Sequence, residues 1–211
     1  MARALQNLGV ALQAQKKVDA ARALYERALA IWETHPGVGT LEAATAQSSL
    51  ATVYMEQGYF SRAEALLMKA VAAREKVLGP NSAETATVLN NLGVLYAYQH
   101  RLTEAKKALE RGLAIAEKSM GPMHPRTIPL IANLGSVYFT EGRYHKQSYG
   151  KSEALYRRLL AVQEQRLGPD RIEVSDALAS LAKVCAAEKN DREATQLEKR
   201  ALAIRRTLLG P

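Results

Sequence analysis

Residues 89–96 read LNNLGVLY, and versions of this octet stand 42 residues to either side: QSSLATVY at 47–54 and IANLGSVY at 131–138. The pattern continues outward as LQNLGVAL at 5–12 and, after a longer step of 47, LASLAKVC at 178–185. Leu8, Leu50, Leu92, Leu134 and Leu181 form one column. A small residue follows each: Gly9, Ala51, Gly93, Gly135, Ala182. Leu12, Tyr54, Tyr96, Tyr138 and Cys185 form a third column. Self-similarity at a fixed period marks a repeat architecture. Two more small columns run Ala21, Ala63, Ala105, Ser152, Ala194 and Ala28, Ala70, Gly112, Leu159, Ala201. Five extra residues between Gly142 and Ser152 explain the longer step, with the register intact on both sides. The repeats fall at about 1–40, 41–82, 83–124, 125–171 and 172–211, a single repeat domain over 1–211.

Each repeat reads as two helices. Leu89, Leu92, Gly93 and Tyr96 fall at i, i+3, i+4, i+7, one stripe of a helix. After the polar turn YQHRLT, Leu102, Ala105, Leu109, Leu113 and Ala116 make a second stripe. Glycine in a helix interior costs about 1 kcal/mol relative to alanine, so the small columns are expected to face other small residues where two helices approach closely. The second helices end alike, with LGP at 78–80, 167–169 and 209–211 and MGP at 120–122. Glycine there supplies a left-handed C′ residue, and proline stops the helix. Asn81 with Glu84 and Asp170 with Glu173 have capping-box spacing. Pro129 places the start of the fourth repeat's first helix at about Thr127 or Ile128.

Composition narrows the class. The chain is 47% hydrophobic but only 6% aromatic, which suits helices with small residues at their contacts. No window reaches the roughly 18 uninterrupted apolar residues of a membrane span. Gln6 and Asn7 interrupt any secretory h-region. The single Cys185 permits no internal disulfide and fits a reducing compartment, so the expected location is cytoplasmic. No membrane partner is expected.

The Leu-Gly-x-x-Tyr pattern and the small columns of the second helix resemble the tetratricopeptide repeat. The 42-residue spacing, the LNNLGVLY box, the LGP tail and His124-Pro125 are similar to the kinesin light chain type of that family. Departures are ETHPGVG at 33–39 in place of LGP, the insertion in the fourth repeat, and Cys185 and Glu198 at places where aromatics are common. The resemblance implies an all-α, right-handed superhelical solenoid of five antiparallel helix pairs. First helices would line a concave groove and second helices would face outward. Cargo transport of the kinesin kind does not follow, since no motor-binding coiled coil is present.

With Leu89, Leu92 and Tyr96 packed inward, Asn90, Asn91, Val94 and Tyr98 fall toward the groove or its edge. The same places hold Gln6 and Asn7, Ser48 and Ser49, Ala132 and Asn133, and Ala179 and Ser180. An amide offers two donors and an acceptor, which suits the backbone of an extended peptide whatever its sequence. Similar asparagines bind peptide backbone in the family. The groove candidates are Asn7, Ser48, Ser49, Thr52, Met55, Asn90, Asn91, Val94, Tyr98, Asn133, Ser136, Phe139 and Lys183, with Val10 adding apolar surface. The competing reading is that the amides tie adjacent helices together. Both roles can coexist.

The formal charge is +8, and most Lys and Arg fall on the second helices among acidic residues. That pattern reads as a solvated exterior with i, i+4 partners, as around Glu64. No aromatic-and-basic stripe accompanies it, so nucleic acid is not the expected partner. The groove lacks the ring of Lys and Arg with which some relatives clamp a C-terminal carboxylate. GKSEALY at 150–156 lacks the first glycine and the preceding strand of a phosphate-binding loop. His35, His100, His124 and His145 lie in turns without ligand spacing. Cys185 reads as a core thiol. No catalytic constellation, metal site or cofactor is expected.

The insertion RYHKQSYGK, 143–151, is expected to lengthen a turn and concentrates Tyr144, His145, Lys146 and Tyr149 as a possible contact loop. A longer, merely tolerated turn is the alternative. Leu197, Ala201, Ile204 and Leu208 are expected to form an uncovered apolar face on the last helix. That would fit a piece of a longer array or a self-association surface. The functional expectation is a protein-interaction scaffold holding an extended peptide or helix in the groove. A spacer or assembly segment acting through edges and ends is the second reading. A basic nucleic-acid-binding solenoid is the third.

Overall fold

The computed structural model describes residues 1–34 and 40–210. His35–Gly39, the core of the ETHPGVG departure, and Pro211 of the last LGP lie outside them. The described residues form ten helices and no strand: α1 (Ala2–Ala14), α2 (Val18–Glu33), α3 (Thr40–Glu56), α4 (Phe60–Leu78), α5 (Ala83–Tyr98), α6 (Leu102–Met120), α7 (Ile128–Gly142), α8 (Gln147–Leu167), α9 (Ile172–Ala187) and α10 (Asp191–Leu209). They group into two compact units that divide within α6, Met1–Ile115 and Ala116 onward.

In the first unit α1 packs on α2, α2 on α3, α3 on α4 and α4 on α5, and the first helices α1, α3 and α5 touch in succession. Tyr25, Val53, Leu67, Val88, Leu95 and Leu109 are fully buried. In the second unit α7 packs on α8, α8 on α9 and α9 on α10, around Leu130, Ile131, Val174, Leu178, Leu181 and Val184. The leucine column is buried at Leu50, Leu92, Leu134 and Leu181, but Leu8 is 51% exposed, with no described helix over that side of α1.

The glycines do make room, though not for small residues. A methyl on Gly93 would sit 2.4 Å from Leu109 Cγ, one on Gly9 would sit 2.7 Å from the Tyr25 ring, and one on Gly135 3.1 Å from Tyr156. Each glycine therefore accommodates one large side chain of the second helix, correcting the small-on-small expectation.

Helix ends follow the sequence with local shifts. Gly79, Gly168 and Gly210 are the C-caps at φ 84–86° with ψ between 161° and 173°. That is an extended positive-φ region open essentially to glycine, not the left-handed helical one. The cap of α5 is Ser82, whose side chain accepts from the Thr85 N–H, in place of Asn81. Arg171 caps α9 without a side-chain bond, in place of Asp170. An unforeseen cap lies at α10, where Asn190 accepts from the Glu193 N–H and donates to its carboxylate at 2.7 Å. Helix α7 starts at Ile128 with Thr127 as N-cap and proline in its first turn, as Pro129 required.

The insertion is absorbed mostly into helix. Elsewhere the first helices end at Ala14, Glu56, Tyr98 and Ala187, and three-residue turns follow. In the fourth repeat α7 runs two residues further, the turn has four residues, and α8 begins two residues early. Gly142 stands where Lys16, Gly58, His100 and Lys189 have positive φ, yet it stays helical and buried. Tyr149 is drawn inward over it, 5.7 Å from the Phe139 ring, while Tyr144 stays exposed. The expected long loop is thus a pair of extended helices.

The last helix also differs from expectation. Ala201 and Ile204 are buried with Val174 and Leu178, and Leu197 packs against them. That stripe faces α9. Leu202, Leu208 and Leu209 are the exposed large hydrophobic residues of α10.

Candidate functional site

Within the two units, repeat register places three equivalent slots between consecutive first helices, each floored by the intervening second helix. In the first, α1 and α3 border a cavity of about 420 Å³ lined by Arg3, Gln6, Asn7, Val10, Leu41, Glu42, Thr45 and Ser49. Gln6 closes its floor. It accepts from Trp32 Nε1 at 3.1 Å and donates to the Glu42 carbonyl at 3.2 Å. Arg3 pairs with the Glu42 carboxylate at 3.0 Å across the mouth.

Between α3 and α5, Arg74 stands 42 residues after Trp32. Its guanidinium donates to the Glu84 carbonyl at 2.7 Å and to Thr45 Oγ1 at 3.2 Å. Arg74 is 92% buried, so these bonds are what offset its desolvation. In the second unit, α7, α8 and α9 border a cavity of about 240 Å³ lined by Ile128, Ala132, Tyr156, Leu159, Gln163, Glu173, Asp176, Ala177 and Ser180.

The sequence-derived groove residues divide by how their polar atoms are used. Ser48 donates to the Ala44 carbonyl, Thr52 to Ser48 and Ser180 to Asp176. These back-bonds within one helix consume the hydroxyl donors. Ser49 bonds Tyr25, and Ser136 bonds Tyr156. Burial pushes both tyrosine pKa values up, and those bonds oppose the shift. Asn90 and Asn133 carry contacts within the chain. Asn7 is exposed and Asn91 half-buried, and neither is engaged by the described residues. Val94, Met55 and Phe139 are half-buried; Lys183 and Tyr98 are exposed. Tyr98 stacks on Phe60 with centroids 6.5 Å apart. The sequence reading missed Trp32, Arg74 and Gln163; their shared place in the repeat register was the available signal.

On the second helices, the cations pair between repeats. Arg111 meets Glu75, Arg158 meets Glu117 and Arg200 meets Glu164 at equivalent positions. Glu64 takes Arg101 of the next repeat at 2.7 Å, rather than a partner on its own helix as expected. The two carboxylate acceptors of Arg101, Glu64 and Glu104, raise its pKa.

One group outside the slots brings metal-ligating atoms together: Glu153, Cys185 and Glu193, within 4.8 Å of one another. Arg157 bridges both carboxylates at 2.6 Å, so a guanidinium already takes up their oxygens and offsets one of the two charges. Burial pushes the Cys185 thiol up, and Glu193 and Glu153 add to the shift. A thiol held protonated in this way is a poor nucleophile.

A family model described as Tetratricopeptide repeat matches residues 1–58, 42–118 and 144–207. The chain belongs to the tetratricopeptide repeat family. No curated protein sequence matches it. Among solved structures, it is similar to a Podosopora anserina protein described as a kinesin light chain with nearly identical TPR-like repeats, at 23% identity and TM-score 0.83, covering 98% of this chain and 95% of that one. It is similar to BtubC from P. vanneervenii at 20% identity and TM-score 0.84, covering 98% and 80%. A Rap conjugation gene regulator in complex with the Phr* peptide matches at 17% identity and TM-score 0.71, covering 97% of this chain and 53% of that one. These identities establish likeness of fold. No described helix of this tetratricopeptide repeat chain is long and apolar enough to cross a membrane.

Proposed function

We propose that the chain is a non-catalytic protein-interaction scaffold that holds an extended peptide of a partner protein on its first-helix face. The cavity between α1 and α3 carries this reading: open, about 420 Å³, with Asn7 beside the apolar Val10 and Leu41. An extended strand laid across α1, α3 and α5 meets Asn7 and Asn91, whose amides have valences to give, while Val10 and Val94 take apolar side chains. Asn90, Ser48, Ser49 and Thr52 contribute acceptor oxygens and shape. Membership of the tetratricopeptide repeat family and the peptide complex of the Rap regulator support the reading.

The test is selection of peptides from a displayed random library, followed by titration of a selected peptide against wild type and the Asn7→Ala, Asn91→Ala double variant. Two hydrogen bonds at about 1 kcal/mol each predict a loss of roughly thirtyfold in affinity, with helicity unchanged by circular dichroism. Unchanged affinity would move the site elsewhere on the chain.

A second reading has its own observation. Leu8 and Leu202 are exposed, whereas their register equivalents Leu50 and Leu92, and Leu29 and Leu113, are buried. This supports packing between copies through those faces. Sedimentation of wild type against Leu8→Glu and Leu202→Glu decides it: a concentration-dependent dimer lost in a variant supports assembly, and a monomer throughout removes it.

A further inference from the structure

The slot between α7 and α9 lacks what its counterparts contain. Gln6 of the first slot becomes Ala132, and Trp32 becomes Gln163. Thr45, which accepts from Arg74, becomes Pro129, with neither a hydroxyl nor an N–H. Two consequences follow. Gln163 is 92% buried, and its Oε1 has no hydrogen-bond partner among the described residues. The Glu173 carbonyl receives no side-chain donor from the described residues, although its equivalents at Glu42 and Glu84 receive Gln6 and Arg74. A buried acceptor without a donor costs about 1–3 kcal/mol, so the site favours whatever brings one.

The surroundings specify that donor. The cavity of about 240 Å³ equals the volume of roughly eight waters. Glu173 and Asp176 both line it, and Arg205 pairs with Asp176 at 2.8 Å, leaving one net negative charge. Its remaining walls, Ile128, Leu159, Ala132 and Ala177, are apolar and suit an aliphatic stem. The α3/α5 slot supplies an internal precedent, because there the chain's own Arg74 lays a buried guanidinium against the equivalent carbonyl. The nearby helix N-terminus does not exclude a cation, for Arg74 lies equally close to the start of α5.

We propose that the α7/α9 slot receives an arginine side chain from the partner peptide. Its guanidinium donates to the Glu173 carbonyl and to Gln163 Oε1, which the side-chain amide turns toward the cavity on binding, with the Glu173 and Asp176 carboxylates at the rim. This rests on the peptide-binding reading for the identity of the partner and adds a basic anchor residue to it. A planar guanidinium presents five donors in a fixed fork and reaches both acceptors at once.

The test uses isotope-labelled full chain and four capped pentapeptides, Gly-Gly-Xaa-Gly-Gly, with Xaa as arginine, lysine, glutamate or norleucine. Binding is followed by NMR at the Gln163 side-chain amide. The arginine peptide is expected to shift that resonance and to bind at least about tenfold more tightly than the glutamate or norleucine peptides. Lysine, with a point charge in place of the fork, falls between them. Ala132→Gln installs the first slot's residue and should abolish the shift. Gln163→Met removes the acceptor at similar length and should weaken binding several-fold. Both variants are checked by thermal melting. No shift with the arginine peptide at about 10 mM, equal binding of the glutamate peptide, or full binding to a folded Ala132→Gln variant would each overturn the proposal. The selected peptides of the preceding test separate the two ideas. Loss on Asn7→Ala, Asn91→Ala with retention on Ala132→Gln leaves the scaffold and removes the arginine slot; the reverse leaves the slot and removes the asparagine ladder.

Discussion

Arg74→Ala should destabilise the first unit in a way that a small guanidinium compound repairs. The bond to the Glu84 carbonyl is short, 2.7 Å, and that to Thr45 Oγ1 is longer, 3.2 Å. Hydrogen bonds to charged groups contribute about 1.5–3 kcal/mol net. The first belongs near the middle of that range. The second lies lower, because Thr45 is exposed and its hydroxyl, which already donates to the Leu41 carbonyl, can turn its oxygen to water. Their loss sums to about 3 kcal/mol. At roughly 2–4 °C per kcal/mol for chains of this size, the melting temperature by circular dichroism should fall about 6–12 °C. Arg74→Lys keeps the charge and one bond, and should lose about half as much. Methylguanidinium then enters the space left by Arg74→Ala. At about 50 mM, against a dissociation constant of about 5 mM, it returns roughly 1.4 kcal/mol, or about 3–6 °C. General denaturation at that concentration costs only about 0.1–0.3 kcal/mol. A melt of Arg74→Ala within about 2 °C of wild type, or no recovery with methylguanidinium, would refute the reasoning that the slot is held by donor geometry.

Two further outcomes are expected. Gly142→Ala brings a methyl within 2.4 Å of the Tyr149 ring; it should cost about 1–3 kcal/mol by overpacking and change the near-ultraviolet circular dichroism as the ring leaves Phe139. Glu188→Gln tests a pH dependence: burial raises the Glu188 pKa, the Glu153 carboxylate adds to it, and Arg157 opposes it. A carboxyl whose folded pKa lies above its unfolded value subtracts stability as pH rises through that window, so the variant should melt above wild type at pH 7 and the difference should close as pH falls below the ordinary 4.5.

The columns around LNNLGVLY made the helix pairs legible because each repeat reuses the same backbone and the same close contacts. What periodicity could not resolve was direction. A second helix carries an apolar stripe toward its own first helix and another toward the next repeat, a few residues apart. Leu197, Ala201 and Ile204 were therefore assigned to an open face although they bury against α9. The caps failed on a finer scale, since Asn81 and Ser82 are both good N-cap residues and the choice depends on backbone angles at one position. The insertion misled because helix extension and loop extension have the same length in sequence. Asn7 is exposed and Asn90, Asn91 and Asn133 are half-buried. The partners of the Gln6 amide, Trp32 and Glu42, stand 26 and 36 residues away, which no local pattern encodes.

The slots were hidden for a different reason. Trp32, Arg74, Ala116, Gln163 and Arg205 share one register position but no single chemistry, so a search for like residues passes over them. Yet unlike residues at one position are what a repeat protein needs in order to vary its surface on a fixed scaffold. Where Gln6 meets Trp32, or Arg74 meets Thr45, the chain supplies donor and acceptor itself. Where Ala132 and Pro129 replace those partners, Gln163 keeps an acceptor and loses its donor. The missing group is then defined by subtraction: one cationic donor on an apolar stem, sized to about 240 Å³. Ala132→Gln and Arg74→Ala should therefore act as opposites, the first closing a slot that is open and the second opening one that is closed. Guanidinium binding that moves from the α7/α9 slot to the α3/α5 slot in the combined variant would tie occupancy to these two register positions.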